Sequence, residues 1–385
     1  MYKLDLAQPW NTSNPIWANI KSQNDHRPLA HFTTAVVQHN TGFIIHGGAL
    51  NNRADPTSLY SIENNTWIAP RLDGPSPIPR IRHTATSDNQ GRIWIWGGES
   101  ISVNGSLLYD GQWTVIDTSI WSYNYPNIAN PPFPRVDHTA TFTPDGDILI
   151  IGGLSYTRNV TDPRGNHSLN PVSMSSLLKF NAATSEWQNV TATGNIPAPR
   201  NGHSAVLCGN HIVVFGGGTQ DDDGQSKLLN DIFILELSTM RWSAPSSTGI
   251  SPTPRKYHHA RMVDENMMLV ALGYGPEHQG SNDIDLLDMT TWTWVSEYAP
   301  NLPWLEQQQS DNNTSTNQNA QYLPPSTTAA SPVSTKLISN SETDNPHPPI
   351  APTAGTDQRD DQEEKKSHMQ AGVIAGAISA GVVAS

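Results

Sequence analysis

The sequence holds one cysteine, Cys208, among 385 residues. That excludes an intrachain disulfide and any zinc site built on cysteines. Charge is sparse and of the wrong sign for nucleic acid. Charged residues make up 15 %, and 22 basic side chains face 35 acidic ones for a net charge of −13. A nucleic-acid-binding chain needs a basic stripe, so no such partner is expected. Apolar residues are scarce too, at 36 % against roughly 45–50 % in globular chains. The shortfall is local and begins after Tyr298. The opening MYKLDL alternates like a strand, and Lys3 and Asp5 exclude a secretory h-region there.

What is present is periodic. An apolar run ending in two glycines recurs as FIIHGG (43–48), IWIWGG (93–98), ILIIGG (148–153) and IVVFGG (212–217), with a degraded copy MLVALGYG (268–275). Short runs that are apolar on both faces and bounded by glycine read as buried strands. A tryptophan follows each, at Trp67, Trp121, Trp187, Trp242 and Trp294, and Trp17 stands ahead of the first; the six lie 50 to 66 residues apart. A bulky residue precedes it with six residues between, in Tyr60/Trp67, Phe180/Trp187, Leu235/Trp242 and Leu287/Trp294; Val115/Trp121 is one residue short. The third signal is a proline-rich link ending in Arg-x-x-His: PIPRIRH (77–83), PFPRVDH (132–138), PAPRNGH (197–203) and PTPRKYH (252–258), with His31 at the matching place of a weaker copy. Proline donates nothing to a ladder, so these segments connect sheets.

Each unit therefore holds four strands: a His strand, a Gly-Gly strand, an apolar-aromatic strand and a Trp strand. Four-stranded units at this spacing predict an all-β propeller whose blades bury their faces against one another. The apolar-Gly-Gly strand and the aromatic-x6-Trp pair, in five successive units, resemble the Kelch family of β-propellers over about residues 1–297. In layout the chain is similar to fungal Kelch-repeat surface proteins that carry a galactose-oxidase-like label.

The predicted organisation is a propeller over 1–298, with a partial blade at 1–20 and complete blades at 28–70, 80–124, 135–191, 200–244 and 255–297. Residues 2–6 and 16–20 read as the third and fourth strands of the partial blade, whose first two strands are missing. The expectation is a truncated gene product, six-bladed and led by a signal peptide at full length. As given, it would have an open ring, exposed strand edges and marginal stability. Residues 299–370, rich in Pro, Ser, Thr, Gln and Asn, read as a disordered stalk. Residues 371–385 carry no charge and read as a short C-terminal helix, the start of a transmembrane span or a GPI-type signal. A single-pass membrane protein with an external or lumenal propeller is expected; a cytoplasmic protein is the alternative. Asn11, Asn64, Asn104, Asn159, Asn166, Asn189, Asn312 and Asn313 open N-glycosylation sequons.

No catalytic, cofactor or metal site is expected. His83, His138, His203 and His258, with Arg80, Arg135, Arg200 and Arg255, recur once per unit and read as structural parts of the repeat. The galactose-oxidase-like resemblance implies a copper-radical oxidase whose tyrosine is linked to a cysteine. The sole thiol, Cys208, sits at an ordinary strand end. The DDDG at 221–224 fails as a calcium loop, because Thr219 and Asn230 stand where Asp and Glu are needed. What remains is surface. The insertions 99–111 and 154–175 occupy the same inter-strand connection, and Tyr156, Arg158, Arg164 and His167 are the candidate contact residues. The expected function is a non-catalytic binding module for a protein or glycan ligand at a membrane. The alternatives are the oxidase and an intracellular Kelch adaptor.

Overall fold

The computed structural model describes residues 1–306, apart from 27, 38–40, 51–52, 55–56, 102–106, 110, 159–166, 221–224 and 277–278. The expected stalk and C-terminal helix lie outside the described residues from 307 onward. The chain stays packed past Tyr298: a helical turn at 302–306 buries Leu305.

Five antiparallel four-stranded sheets follow one another in chain order, each a meander from inner to outer strand. Blade 1 is Ala30–Val36, Gly42–Leu50, Thr57–Ser61 and Thr66–Ile68; blade 2 is Thr84–Ser87, Arg92–Trp96, Thr114–Asp117 and Ser122–Asn124. Blade 3 is Thr139–Phe142, Asp147–Ile151, Ser176–Asn181 and Glu186–Thr191. Blade 4 is Ser204–Cys208, His211–Gln220, Ser226–Glu236 and Arg241–Ser243; blade 5 is His259–Met262, Met267–Ala271, Ile284–Asp288 and Thr293–Val295.

Strand alternation assembles the blades. Side chains on a strand point to opposite faces in turn, so the second strand of each blade divides its residues between two neighbours. Ile93 and Ile95 pack with Ile44 and Leu59 of blade 1, while Trp94 and Trp96 pack with Ile148, Ile150 and Phe180 of blade 3. Leu149 and Ile151 turn the other way, onto Ile212 and Val214 of blade 4. Val213 and Phe215 meet Met268 and Val270 of blade 5. Each fully buried side chain of this size contributes about 1.5–3 kcal/mol, which accounts for strands apolar on both faces.

The glycine doublets are required by the junctions. Gly97 has φ +71°, and a Cβ there would stand 2.6 Å from His138 Cε1 of blade 3; Gly98, at φ +82°, faces His83 Cβ of its own blade at 2.7 Å. The doublets 152/153 and 216/217 repeat the arrangement with His203 and His258.

Two register assignments differ from the sequence reading. In blade 2 the residue paired like Tyr60↔Trp67 is Ile116↔Tyr123, which restores the six-residue spacing. Trp121 stands instead in the left-handed turn position (φ +52°) held elsewhere by Asn65, Ser185, Met240 and Trp292. In blade 1 the residue packed on the second glycine is Phe32, not His31. His31, at φ 59°, takes the place of the residue before the histidine.

The N-terminal segments pair as expected, Tyr2–Leu4 with Trp17–Asn19, placing Leu4 opposite Trp17. This half-blade packs Leu4, Leu6 and Trp17 against Leu269 and Leu286 of blade 5, and Met1 against Phe43 and Tyr60 of blade 1. Trp10–Asn11 pairs with Glu297–Tyr298, joining the first residues to the end of blade 5. Outer edges are covered as well. Thr193–Gly194 runs parallel to Arg241–Ser243, and Thr248–Gly249 to Thr293–Val295. Each link thus protects the next blade's edge from intermolecular pairing.

Candidate functional site at the axis and loop face

An antiparallel four-strand meander ends on the side where it began. Inner-strand starts, second-to-third connections and proline-rich links therefore share one face of the molecule. This loop face carries the 154–175 insertion, built as a hairpin of Leu154–Arg158 and His167–Pro171 whose base pairs with Arg135–Val136. It also carries the smaller hairpin of Ser100–Ile101 and Leu107–Leu108.

Of the expected contact residues, Tyr156 is half-buried against Tyr109, with ring centroids 3.5 Å apart. Arg158 and His167 are direct strand partners; their side chains and the whole of Arg164 lie outside the described residues. Among the sequon asparagines, Asn64 and Asn189 are exposed and Asn11 is half-buried. Asn104, Asn159, Asn166, Asn312 and Asn313 are outside the described residues.

The repeated arginines and histidines sit beneath this face. Arg80, Arg135 and Arg200 each donate Nη1 to the carbonyl of their own blade's first glycine, Gly97, Gly152 and Gly216, and Arg255 donates to Leu272, at 3.0–3.2 Å. Their own carbonyls accept from the second glycine of the blade before, as in Gly98 N to Arg135 O at 2.8 Å. Each histidine except His83 joins Nε2 to a hydroxyl of the preceding blade: His138 to Thr84, His203 to Thr139, His258 to Ser204. An aromatic ring meets the histidine edge-on, as Trp96 meets His138 and Phe215 meets His258; His46 plays that part for His83. Burial, with nearby arginine charge second, pushes His138 and His258 down to about 3. These imidazoles are neutral struts. The arginines differ in compensation. Arg200 and Arg255 pair with Asp231 and Asp283 at 2.6 Å, whereas burial lowers Arg135 to about 10.

At the axis the residue before each inner strand's anchor is left-handed in all five blades: His31, Arg82, Asp137, Gly202 and Tyr257, with φ of 54–61°. Their backbones form a blade-to-blade chain. Arg82 N donates to His31 O, Asp137 N to Arg82 O, Gly202 N to Asp137 O and Tyr257 N to Gly202 O, at 2.7–3.2 Å. Above it, Arg82 grips Asp137 through Nε (3.1 Å to each carboxylate oxygen) and Nη2, and reaches Glu99 through Nη1 at 3.3 Å. Tyr257, lying over Gly202, donates its hydroxyl to Asp137 Oδ2 at 2.9 Å. Burial opposes the Arg82 charge, but Asp137 and Glu99 outweigh it and hold the guanidinium protonated. Burial first, then the Asp137 charge, raises the Tyr257 phenol far above its usual range.

Sequence reasoning missed this polar bridge. Its signal is the position just before the histidine of each Arg-x-x-His link, which reads Arg82, Asp137, Gly202 and Tyr257 in turn and so changes charge and size from blade to blade.

Cys208 lies on the opposite face, half-buried, in a cleft of about 450 Å³ lined by His211, Val213, Ile234, Glu236, Arg241, Ser243, Asn266, Met289 and Trp292. Among the described residues, no group of three or more His, Cys, Asp or Glu side chains is placed to hold a metal ion.

A family model described as the KLHDC2/KLHL20/DRC7 Kelch-repeats domain matches residues 5–175 and 164–308. The chain belongs to the Kelch-repeat family. Its curated relatives are larger proteins. It is 29 % identical over 234 residues to Acyl-CoA-binding domain-containing protein 4 of Arabidopsis thaliana, covering 60 % of this chain and 32 % of that one. It is 27 % identical over 298 residues to human Host cell factor 2, covering 74 % of this chain and 35 % of the relative. Kelch repeat-containing protein 2 of Saccharomyces cerevisiae is 27 % identical over 193 residues, 49 % of this chain and 20 % of its own. The Kelch chain thus spans about a third or less of these relatives. Among its described residues no helix is long and apolar enough to cross a membrane.

Proposed function

We propose that this Kelch propeller is a non-catalytic protein-binding module that docks its partner on the loop face. The observation that carries the reading is the distribution of exposed apolar side chains. Ile78 (57 %), Phe133 (80 %) and Ile250 (90 %) stand out from the proline-rich links, with Leu108, Tyr125 and Ile196 on the same side. The opposite side has fewer: Ile120, Ile16 ahead of the half-blade's last strand, and Leu302 beside Asn301, which bonds Asp264 of a first-to-second turn. Protein interfaces are built around such apolar and aromatic anchors, surrounded by polar groups, and the Arg82–Asp137–Tyr257 bridge supplies a rigid polar centre. Two further features support the reading: the longest connections rise from this face, and they stand on a scaffold fixed by blade packing.

The test is panning of a random peptide library on the purified chain. Selected peptides lose about tenfold or more in affinity on Phe133→Asp or Ile250→Asp, an ordinary anchor effect, and keep it on Ile120→Asp. Peptides indifferent to the loop-face changes contradict the reading, and selected glycans in place of peptides would replace the partner class. Display at a membrane through residues 371–385 is the finer part of the proposal. It is supported by the uncharged run and tested by alkaline extraction of membranes from cells expressing the chain.

A further inference from the structure

We infer that the axial mouth beside blade 5 is a seat for a cationic side chain of the partner, an arginine or a lysine, held against the ring of Tyr257; this rests on the loop face being the binding face. Tyr257 is 38 % exposed. Two rings stand perpendicular to it: His31 of blade 1 at 6.5 Å and 84°, and Tyr274 of blade 5 at 6.4 Å and 89°. The ammonium of Lys256 already lies 5.3 Å from the Tyr257 centroid, within the distance at which a cation is attracted to an aromatic face. The hydrogen bond to Asp137 Oδ2 at 2.9 Å fixes the ring. It also draws the phenol proton toward a carboxylate, which enriches the ring in electron density.

The charges around the Tyr257 ring are few. Arg82 and Lys256 stand there with Asp137, and Glu99 is bound to Arg82. Beside Lys256 in sequence, the buried Arg255 is shared by Asp283 and Asp285 at 2.6 and 3.5 Å. One guanidinium serves two carboxylates, so Asp285 is incompletely neutralised. A partner cation takes over the place of the Lys256 ammonium on the ring, while an incoming carboxylate finds Arg82 already held by two carboxylates. The mouth thus combines an exposed ring, perpendicular flanking rings and an ammonium already drawn to that ring, the chemistry by which proteins take ammonium and guanidinium groups.

The test uses the full chain and three fluorescein-labelled dodecapeptides with the same Leu, Phe and Ser residues. One carries arginines at fixed positions, the second carries neutral citrullines there, and the third glutamates. Binding is read by anisotropy at about 0.15 M salt, where long-range attraction is screened. The arginine peptide binds about tenfold tighter than the citrulline peptide, and the glutamate peptide binds weakest. Tyr257→Leu removes the arginine advantage without changing net charge, which separates the ring from the general pull of a −13 chain. Tyr257→Phe keeps the ring and most of the advantage. Tyr274→Leu, outside the Asp137 network, lowers it about threefold and serves if Tyr257→Leu fails to fold by circular dichroism.

Equal binding of the arginine and citrulline peptides overturns the inference. So does an arginine advantage that survives both leucine variants, or no binding of the arginine peptide up to about 1 mM. If the citrulline peptide binds and Ile250→Asp abolishes it while arginine adds nothing, the cationic seat falls and the loop-face reading stands. If no peptide responds to Phe133→Asp or Ile250→Asp, the loop-face reading falls with it.

Discussion

Tyr257 and Asp137 are 120 residues apart, and the phenol of one donates to the carboxylate of the other at 2.9 Å across the mouth of the propeller axis. Gly202, the left-handed residue between them in the axial chain, makes the crossing possible: a Cβ there would stand 2.9 Å from two carbons of the Tyr257 ring. Three blades are tied by one carboxylate, since Arg82 holds its other side.

Breaking this bridge from different sides gives different losses. Tyr257→Phe removes one hydrogen bond to a charged group and costs about 1.5–3 kcal/mol. Asp137→Ala leaves Arg82, whose side chain is only 18 % exposed, with Glu99 alone and takes the acceptor from Tyr257, and costs about 3 kcal/mol or more. Urea denaturation of both variants checks the order; Tyr257→Phe as the more damaging change would contradict the geometry.

The junction histidines make stability depend on pH. His46, His138 and His258 are held at about 3 and His259 at about 4, by burial first and arginine charge second. An unfolded histidine titrates near 6.5, so the unfolded state binds more protons below that value. Stability is therefore full above about pH 6.5 and falls as pH drops through the window toward 3, by up to about 1.4 kcal/mol per pH unit for each histidine. Urea midpoints measured at intervals from pH 8 to pH 4 should hold steady and then decline below 6.5. A midpoint unchanged down to pH 4.5 would show the imidazoles to be solvated.

Glycine substitutions separate backbone strain from steric conflict. Gly146 has φ +83° and nothing within 4 Å of an added Cβ, so Gly146→Ala costs only the left-handed penalty of about 1–2 kcal/mol. Gly97→Ala adds contacts of 2.5 Å to Arg135 O and 2.6 Å to His138 Cε1. It must push blades 2 and 3 apart, with a loss of about 4 kcal/mol or failure to fold. Thermal melts of the two variants side by side check this, and equal losses would mean that the blades do not meet there.

The ends of the propeller are held by a stacked pair, Trp10 and Tyr298, with centroids 5.1 Å apart. Tyr298 also donates to Leu6 O at 3.1 Å. Trp10→Ala empties a site buried to 6 % exposure and costs about 3–5 kcal/mol. Amide exchange should then quicken first in blade 5 and the half-blade. Faster exchange confined to blades 2 and 3 would contradict the closure.

Most of the scaffold was legible because it repeats. A glycine doublet followed one blade later by a histidine encodes a contact between neighbours, and alternating apolar residues encode which neighbour each one meets. Legibility failed where a residue type was taken as the marker of a position. Trp121 is a tryptophan near the expected spacing, yet it fills a left-handed turn while Tyr123 takes the outer-strand site. His31 is a histidine in a link-like segment, yet Phe32 carries the packing. The axial bridge was hidden for a different reason. It joins Arg82, Asp137 and Tyr257, one from each of three blades, and only the ring brings them together. The covering of outer edges by Thr193–Gly194 and Thr248–Gly249 was equally invisible, since two residues of parallel pairing leave no periodic trace.

The most direct test of the binding face is hydrogen–deuterium exchange on the full chain, alone and saturated with a peptide selected against it. Protection is expected in the links at 75–82, 130–137 and 249–257 and in the connections at 99–111 and 154–175. Protection confined to the opposite turns, at 62–66, 118–121, 182–186 and 238–241, would place the partner on the other side and contradict the account.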